Sequence, residues 1–389
     1  MNASISPDTK SHSVFFHREF LEGLEGFLKS YWLPKTVFCA VLLSLFFQLP
    51  HVVELDQSPA IRGLLRIKDS IFTQIEFPIG SHVEKKTVRW TVPLLMKVSG
   101  VDSPSGFHLL MVAFNVLLLV FSARAMLTHT GDRVYSFLFV CAIGCVFSGC
   151  CGFNDVKGFS DIVPFALMVF CVTQPRTLLL LPAVYFALLS DERTIMGLAF
   201  MGFWWVWGHP SGEKPVLSMN LVRNPLTVCL LAFVAFLFTR KLMVDLLGFR
   251  IPGGEVGFGQ FKFINADYFL MAPWAAFEVL WVFPALWVLM LMQERRLLVA
   301  GLLFILIVGA TGASFMVHDV TKSVGYLVPL LPVSAIMVHR HMAQSSQARV
   351  LMLIVGVLCI AIPTQHYIAV PYIYGSVPGW LFGKIAVCF

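Results

Sequence analysis

The stretch LLVAGLLFILIVGATGASFMV, Leu297 to Val317, decides the fold, because it runs for more than twenty positions without a charged residue. A helix rises about 1.5 Å per residue, so roughly 20 apolar residues span a hydrocarbon core about 30 Å thick. Backbone amides cannot stay unpaired in lipid, which leaves only helices and closed barrels as spanning structures. A barrel strand would alternate apolar and polar residues over about ten positions. This run does not alternate, so it reads as a membrane-spanning α-helix. The rest of the 389-residue chain agrees, with 58% hydrophobic and 13% charged residues and a mean hydropathy of +0.80. A soluble domain is about 45–50% apolar and about 25% charged.

Further apolar runs extend the reading to spans over 35–53, 106–127, 134–151, 159–174, 177–190, 194–208, 225–245, 270–292, 296–317, 323–340 and 349–366. The expected fold class is all-α, a polytopic transmembrane bundle of about 10–11 spans. The fourth and fifth runs are short and read equally as a hairpin that does not cross fully. Pro164, Pro182, Pro273, Pro284, Pro329 and Pro332 predict kinks. No internal repeat is evident, which argues against an inverted-repeat transporter. The domain division is 1–33, a cytoplasmic tail with an interfacial amphipathic helix, and 34–389, a single transmembrane domain. In the first part Phe16, Phe20, Leu24, Phe27 and Leu28 recur at helical spacing.

Lys and Arg in short loops set the orientation. With the N-terminus inside, the cytoplasmic side carries Lys29, Lys35, Arg124, Arg133, Arg176, Arg295, Arg296, Arg340 and Arg349 among others, and the opposite short loops carry fewer. Two long segments then lie outside, 54–105 and 249–269. The first holds two amphipathic stretches, about 59–76 and 84–98, suited to the membrane surface. The net charge of +6 comes from loop residues with no aromatic-interleaved basic groove, so lipid phosphates, not nucleic acid, are the expected anionic partners. The nine cysteines lie mostly inside apolar runs, form no Cys-x-x-Cys pattern, and read as small packing residues.

Five polar clusters fall on the external side of this topology. Glu54 and Asp56 follow the first span, where partial desolvation raises a carboxyl group toward the range of a general base; they equally serve to end a helix. Arg89-Trp90-x-x-Pro93 returns the long loop to the membrane, and a guanidinium there can grip a phosphate or simply snorkel. Asn154-Asp155, with Lys157 and Asp161, can bind a sugar hydroxyl or a metal, or form a polar turn. Asp191-Glu192-Arg193 sits near membrane depth, where ionisable residues are paired or functional. His318-Asp319-x-Thr321-Lys322-Ser323 offers a cation for phosphate and equally a helix N-cap. No metal site and no cofactor is expected, since a divalent ion would need more clustered ligands than these stretches supply. Glu278 is the one acid well inside a proposed span.

This arrangement resembles the GT-C superfamily of polytopic membrane glycosyltransferases, in its bacterial, uncharacterised branch. Arg89-Trp90-Thr91-Val92-Pro93 is similar to the return segment of the first external loop in bacterial members. Phe153-Asn154-Asp155, Ser190 to Arg193 and His318 to Ser323 resemble short stretches in other members. The chain departs from the family's larger members in lacking a soluble C-terminal domain and a Trp-Trp-Asp-type motif, and its first-loop acids form no Asp-Asp or Asp-Glu pair. The resemblance implies transfer of a sugar from a polyprenyl-phosphate-type lipid to a glycan, lipid or protein acceptor on the extracytoplasmic face of a bacterial inner membrane. By position it makes Asp56 the base, with Glu54 second. It assigns Arg89, Asp155, Arg193, His318 and Lys322 to substrate and lipid phosphate. A transporter or flippase, and a non-catalytic scaffold subunit of a membrane complex, are the competing expectations.

Overall fold

A computed structural model describes residues 19–47, 58–78, 83–153, 160–174, 177–208, 224–250, 266–317, 319–342, 344–362, 365–368 and 370–373. Most of them are helical. A short surface helix, α1 (19–27), leads into α2 (Trp32–Phe47). The first long loop contributes α3 (Pro59–Asp69) and α4 (Thr91–Val98). Then come α5 (Pro104–Thr130), α6 (Arg133–Ile143), α7 (Phe147–Cys150), α8 (Ile162–Thr173), α9 (Thr177–Ser190), α10 (Thr194–Phe203) and α11 (Pro225–Asp245). The remainder is α12 (Ala266–Phe277), α13 (Val282–Gln293), α14 (Leu297–Ser314), α15 (Val320–Gly325), α16 (Leu330–His341) and α17 (Ser345–Ala361).

Among the described residues four stretches are long and apolar enough to cross a membrane: Pro104–Thr130, Pro225–Asp245, Phe269–Gln293 and Leu297–Ser314. The surface of the bundle supports the same conclusion. α14 buries Ala300, Leu303 and Ser314 but leaves Leu298, Phe304, Ile305 and Val308 exposed. α11 likewise exposes Leu230, Val234, Leu237 and Phe238. A soluble monomer rarely shows so large a contiguous apolar patch. The chain is an integral membrane protein. The outward face of α14 is cut by an apolar groove of about 710 Å³ against α13, lined by Trp281, Pro284, Val288, Ala300, Gly301 and Phe304 among others.

The helix starts follow local chemistry. Ser58, Ser103, Asp132, Asn224 and Asp319 each accept a backbone N–H from the first turn of the helix they precede. Pro59, Pro104 and Pro225 stand at or next to the first position. Pro164, Pro284 and Pro332 each occupy the third position of α8, α13 and α16. The first four amides of a helix have no intrahelical partner, so a proline there costs no hydrogen bond. The kinks expected at these prolines are therefore helix starts. Pro182 and Pro273 do lie inside helices.

Several expected spans are divided. The third breaks at 144–146 between α6 and α7. Gly144 packs on Ser44 and the Ala40 carbonyl, and a Cβ on Gly149 would lie 1.8 Å from the Ile143 carbonyl oxygen. The eighth is divided by a 3₁₀ turn, Glu278–Trp281, and the tenth by the turn between α15 and α16. The amphipathic stretch 84–98 is a 3₁₀ turn, Glu84–Lys86, followed by α4. The last span stops at Ala361. Beyond it Gln365–Ile368 (β1) and Val370–Ile373 (β2) pair antiparallel, Gln365 opposite Ile373, a small exception to the all-helical expectation.

Ion pairs group the helix ends into two sets. One gathers the first loop, the start of α8, the α9–α10 turn, the far part of α11 and α15. The other gathers residue 25, the α5–α6 turn, the ends of α13 and α16 and the start of α17. Arg89, Asp191, Arg193 and Lys322, expected on one side, fall in the first set, and Arg349, expected on the other, in the second.

Candidate functional site: an ionic cluster at one end of the bundle

The turn between α9 and α10 is the centre of the cluster. Asp191 is 2% exposed and accepts the backbone N–H of Arg193 at 3.0 Å and its side-chain Nε at 2.9 Å. This short loop folds the arginine back over its own carboxylate. Arg193 also reaches Asp161 at 3.1 Å and donates to the Ser323 hydroxyl at 3.1 Å. Its guanidinium lies 4.7 Å over the Tyr326 ring. The Tyr326 hydroxyl donates to Asp161 at 2.7 Å, and Lys322 pairs with the same carboxylate at 3.0 Å. Asp319 caps α15 by accepting the Lys322 amide and stands 3.7 Å from the Lys322 ammonium. One helix start thus delivers Lys322, Ser323 and Tyr326 to Asp161 and Arg193.

The first loop closes the other side. Thr91 donates to the Phe186 carbonyl at 2.6 Å, which ties the start of α4 to the end of α9. Trp90 packs edge-on against Phe72 and Phe249. Arg89, held between these anchors, pairs with Asp191 at 2.5 Å and with Glu192 at 2.9 Å. Arg240, one turn before the end of α11, takes the second oxygen of Glu192 at 2.9 Å. Lys68 of α3 is hydrogen-bonded to Asp102 and to the Val101 carbonyl, fixing α3 on the residues that enter α5.

Burial works against charge on Asp191, but the Arg193 and Arg89 guanidinium groups more than offset it, and the carboxyl stays well below the usual carboxylate range. Asp161 is paired with Lys322 and Arg193. Among the described residues Arg89, Arg193, Arg240 and Lys322 face Asp161, Asp191, Glu192 and Asp319, so four cations meet four acids. The cluster is neutral, but it is not uniform. Asp161, Asp191 and Lys322 are enclosed, whereas the Glu192 side chain is 46% exposed. Beside it, but themselves buried, one nitrogen of Arg89 (Nε) and one of Arg240 (Nη1) have no hydrogen-bond partner.

Of the residues expected to bind phosphate, Arg89, Arg193 and Lys322 are brought into this one cluster. Asp56, Glu54, Asp155 and His318 lie outside the described residues. The loop that holds Asp155 leaves a well-defined anchor, since the Asn115 side chain donates to the Gly149 carbonyl at 2.8 Å and accepts the Gly152 amide at 2.9 Å. Two members have no counterpart in the sequence reading. Tyr326 stands one turn after Lys322, and a lone aromatic there has no distinguishing signal. Arg240 is a charge about one turn inside the end of an apolar run, which does mark it as costly to leave unpaired. Among the described residues no group of three or more His, Cys, Asp or Glu is placed to hold a metal ion.

Compared with known protein families, curated proteins and solved structures, the chain matches none.

Proposed function

We propose that the chain is a membrane glycosyltransferase that takes a sugar from a polyprenyl-phosphate-type lipid at the end of the bundle carrying the ionic cluster. The reading has the passes crossing the membrane about ten or eleven times, with that end on the extracytoplasmic face of a bacterial inner membrane and the N-terminus in the cytoplasm. The observation that carries it is the edge formed by Arg89 and Arg240. Both guanidinium groups share the half-exposed Glu192, and each keeps one buried nitrogen without a hydrogen-bond partner. A lipid phosphate offers more acceptor oxygens than a carboxylate and more charge, so it can displace Glu192 and take both arginines. Arg89 and Arg240 would then stabilise the charge that develops on the departing phosphate. The interior pairs around Asp161 would hold this edge in place. Asp56 is the proposed base for the acceptor hydroxyl. The apolar groove between α13 and α14 suits a lipid chain in contact with the bundle.

A second reading rests on the neutrality of the cluster. Arg193 and Lys322 are fully engaged by buried acids, which suits a non-catalytic subunit whose ion pairs only fix helices together. One experiment separates the two. Lipids and glycans are profiled by mass spectrometry from cells carrying the wild type, Asp56→Asn, or no copy of the gene. A transferase shifts one glycolipid or glycan by a single sugar unit in both altered strains. A change on gene loss alone removes Asp56 from the site. No change in any glycan in either strain overturns the transferase reading in favour of the scaffold.

A further inference from the structure

Glu278 lies in the middle of the membrane-crossing stretch Phe269–Gln293 and is 1% exposed. Neither carboxyl oxygen has a hydrogen-bond partner, and among the described residues no cation forms an ion pair with it. The backbone breaks at the same residue. α12 ends at Phe277, Glu278 adopts φ +49°, and a 3₁₀ turn leads into α13. The left-handed region is unfavourable for a glutamate, so surrounding structure must hold it there.

That structure is built from two other parts of the chain and from the turn itself. Thr321 of α15 donates to the Ala272 carbonyl at 2.9 Å, Ser148 of α7 donates to the Ala276 carbonyl at 2.8 Å, and the Trp281 indole donates to the Pro273 carbonyl at 3.0 Å. The carbonyls near the break are thus supplied with donors, while the acid is given none. Among the described side chains, the titratable groups close enough to Glu278 to feel its charge are the thiols of Cys145 after α6, Cys150 in α7 and Cys359 in α17. From α15, Lys322 is turned to Asp161 and Asp319. The C-terminal end of α12 adds a partial negative charge at the break.

An unpaired carboxylate among apolar side chains and thiols is costly, and an ionisable residue held there is a mark of function. A hard metal cation would need several oxygen ligands, and thiols serve it poorly. A proton needs only the carboxyl group itself. We propose that Glu278, at the broken pass, is a membrane-embedded proton-binding site. Release of the proton leaves a bare carboxylate that the surroundings cannot compensate, so the break must open to water or α12 must shift against α15 and α17. The site needs no sugar donor and stands or falls independently of the transferase reading.

The test uses the full-length protein in liposomes and dicyclohexylcarbodiimide, an apolar reagent that adds to protonated carboxyl groups. Adducts are mapped by mass spectrometry across a pH series, in sodium chloride and in choline chloride. The expected result is an adduct on Glu278 that declines as pH rises, is the same in both salts, and is absent in Glu278→Gln. The Gln variant is expected to melt within about 3 °C of the wild type, because it replaces a neutral acid by a neutral amide. Absence of the adduct at every pH in the folded wild type overturns the proposal. So does suppression of the adduct by sodium at constant pH, which identifies a metal cation as the occupant.

Discussion

The two ends of the bundle both carry buried acids, and they are neutralised in different ways. At the end described above, Asp161 and Asp191 share Arg193 between them and draw on Arg89 and Lys322 from distant segments. At the opposite end Asp132 stands at the α5–α6 turn. It accepts the Tyr135 amide at 3.0 Å, pairs with Arg349 at 2.7 Å and lies 3.6 Å from His339, while Arg349 turns its other side to the exposed Glu25. One acid there has one principal cation and a helix amide. At the first end the interior charges interlock: Asp161, Asp191, Arg193 and Lys322 each meet more than one opposite charge. The lesson is that similar residues serve as a local clip at one end and as a joint between five segments at the other.

The sharpest way to break this comparison is Asp161→Asn. It leaves Lys322 and one arm of Arg193 without their buried acid, and loss of one partner from a buried ionic network costs about 3–5 kcal/mol. The expected outcome is a large drop in melting temperature of the purified protein in detergent, larger than for any acid at the opposite end. A drop no greater than that of Asp132→Asn would show that the interlocking carries no weight.

Asp132→Asn should have an intermediate effect. Burial works against the Asp132 charge, but nearby His339 and the Arg349 hydrogen bond outweigh it and the carboxyl is pushed down to about 2. A depressed acid contributes stability that is present above its unfolded value near 4 and is lost as pH falls toward 2. Its partner Arg349 is partly open to solvent, which trims the contribution to about 1–2 kcal/mol. Acid unfolding of the wild type should therefore steepen between pH 4 and pH 2, scales set by those two values, and Asp132→Asn should flatten that part of the curve.

Glu192→Gln should have the smallest effect on stability, under about 1 kcal/mol, because its carboxylate is half exposed. It frees Arg89 and Arg240, so inorganic pyrophosphate should raise the melting temperature of this variant more than that of the wild type. A loss of stability as large as that of Asp161→Asn would place Glu192 in the interlocked interior and remove the open edge.

The helices were legible because hydropathy alone writes them. Leu297–Ser314 and Pro225–Asp245 fall within a few residues of the runs that announced them. The grouping of Arg89, Arg193 and Lys322 was legible too, because alternating passes place every second loop at the same end. Their partners were not. The Arg89–Asp191 and Lys322–Asp161 pairs join positions more than a hundred residues apart, and such pairs leave no local pattern. The breaks at 144–146 and 278–281 escaped for a related reason. Both are held by distant donors, Ser44 to the Gly144 carbonyl at the first and Ser148 and Thr321 at the second, while the local sequence remains apolar.

Read in the order in which a ribosome would release it, the cluster has an instructive history. Arg89, Arg193 and Arg240 are balanced by Asp161, Asp191 and Glu192 before α15 is made. α15 then arrives with Asp319 and Lys322, a pair that is neutral by itself. The late segment can dock or withdraw without changing the sum of charges at the membrane boundary. Assembly and any later movement of α15 are thereby relieved of the electrostatic barrier that a single added cation would raise.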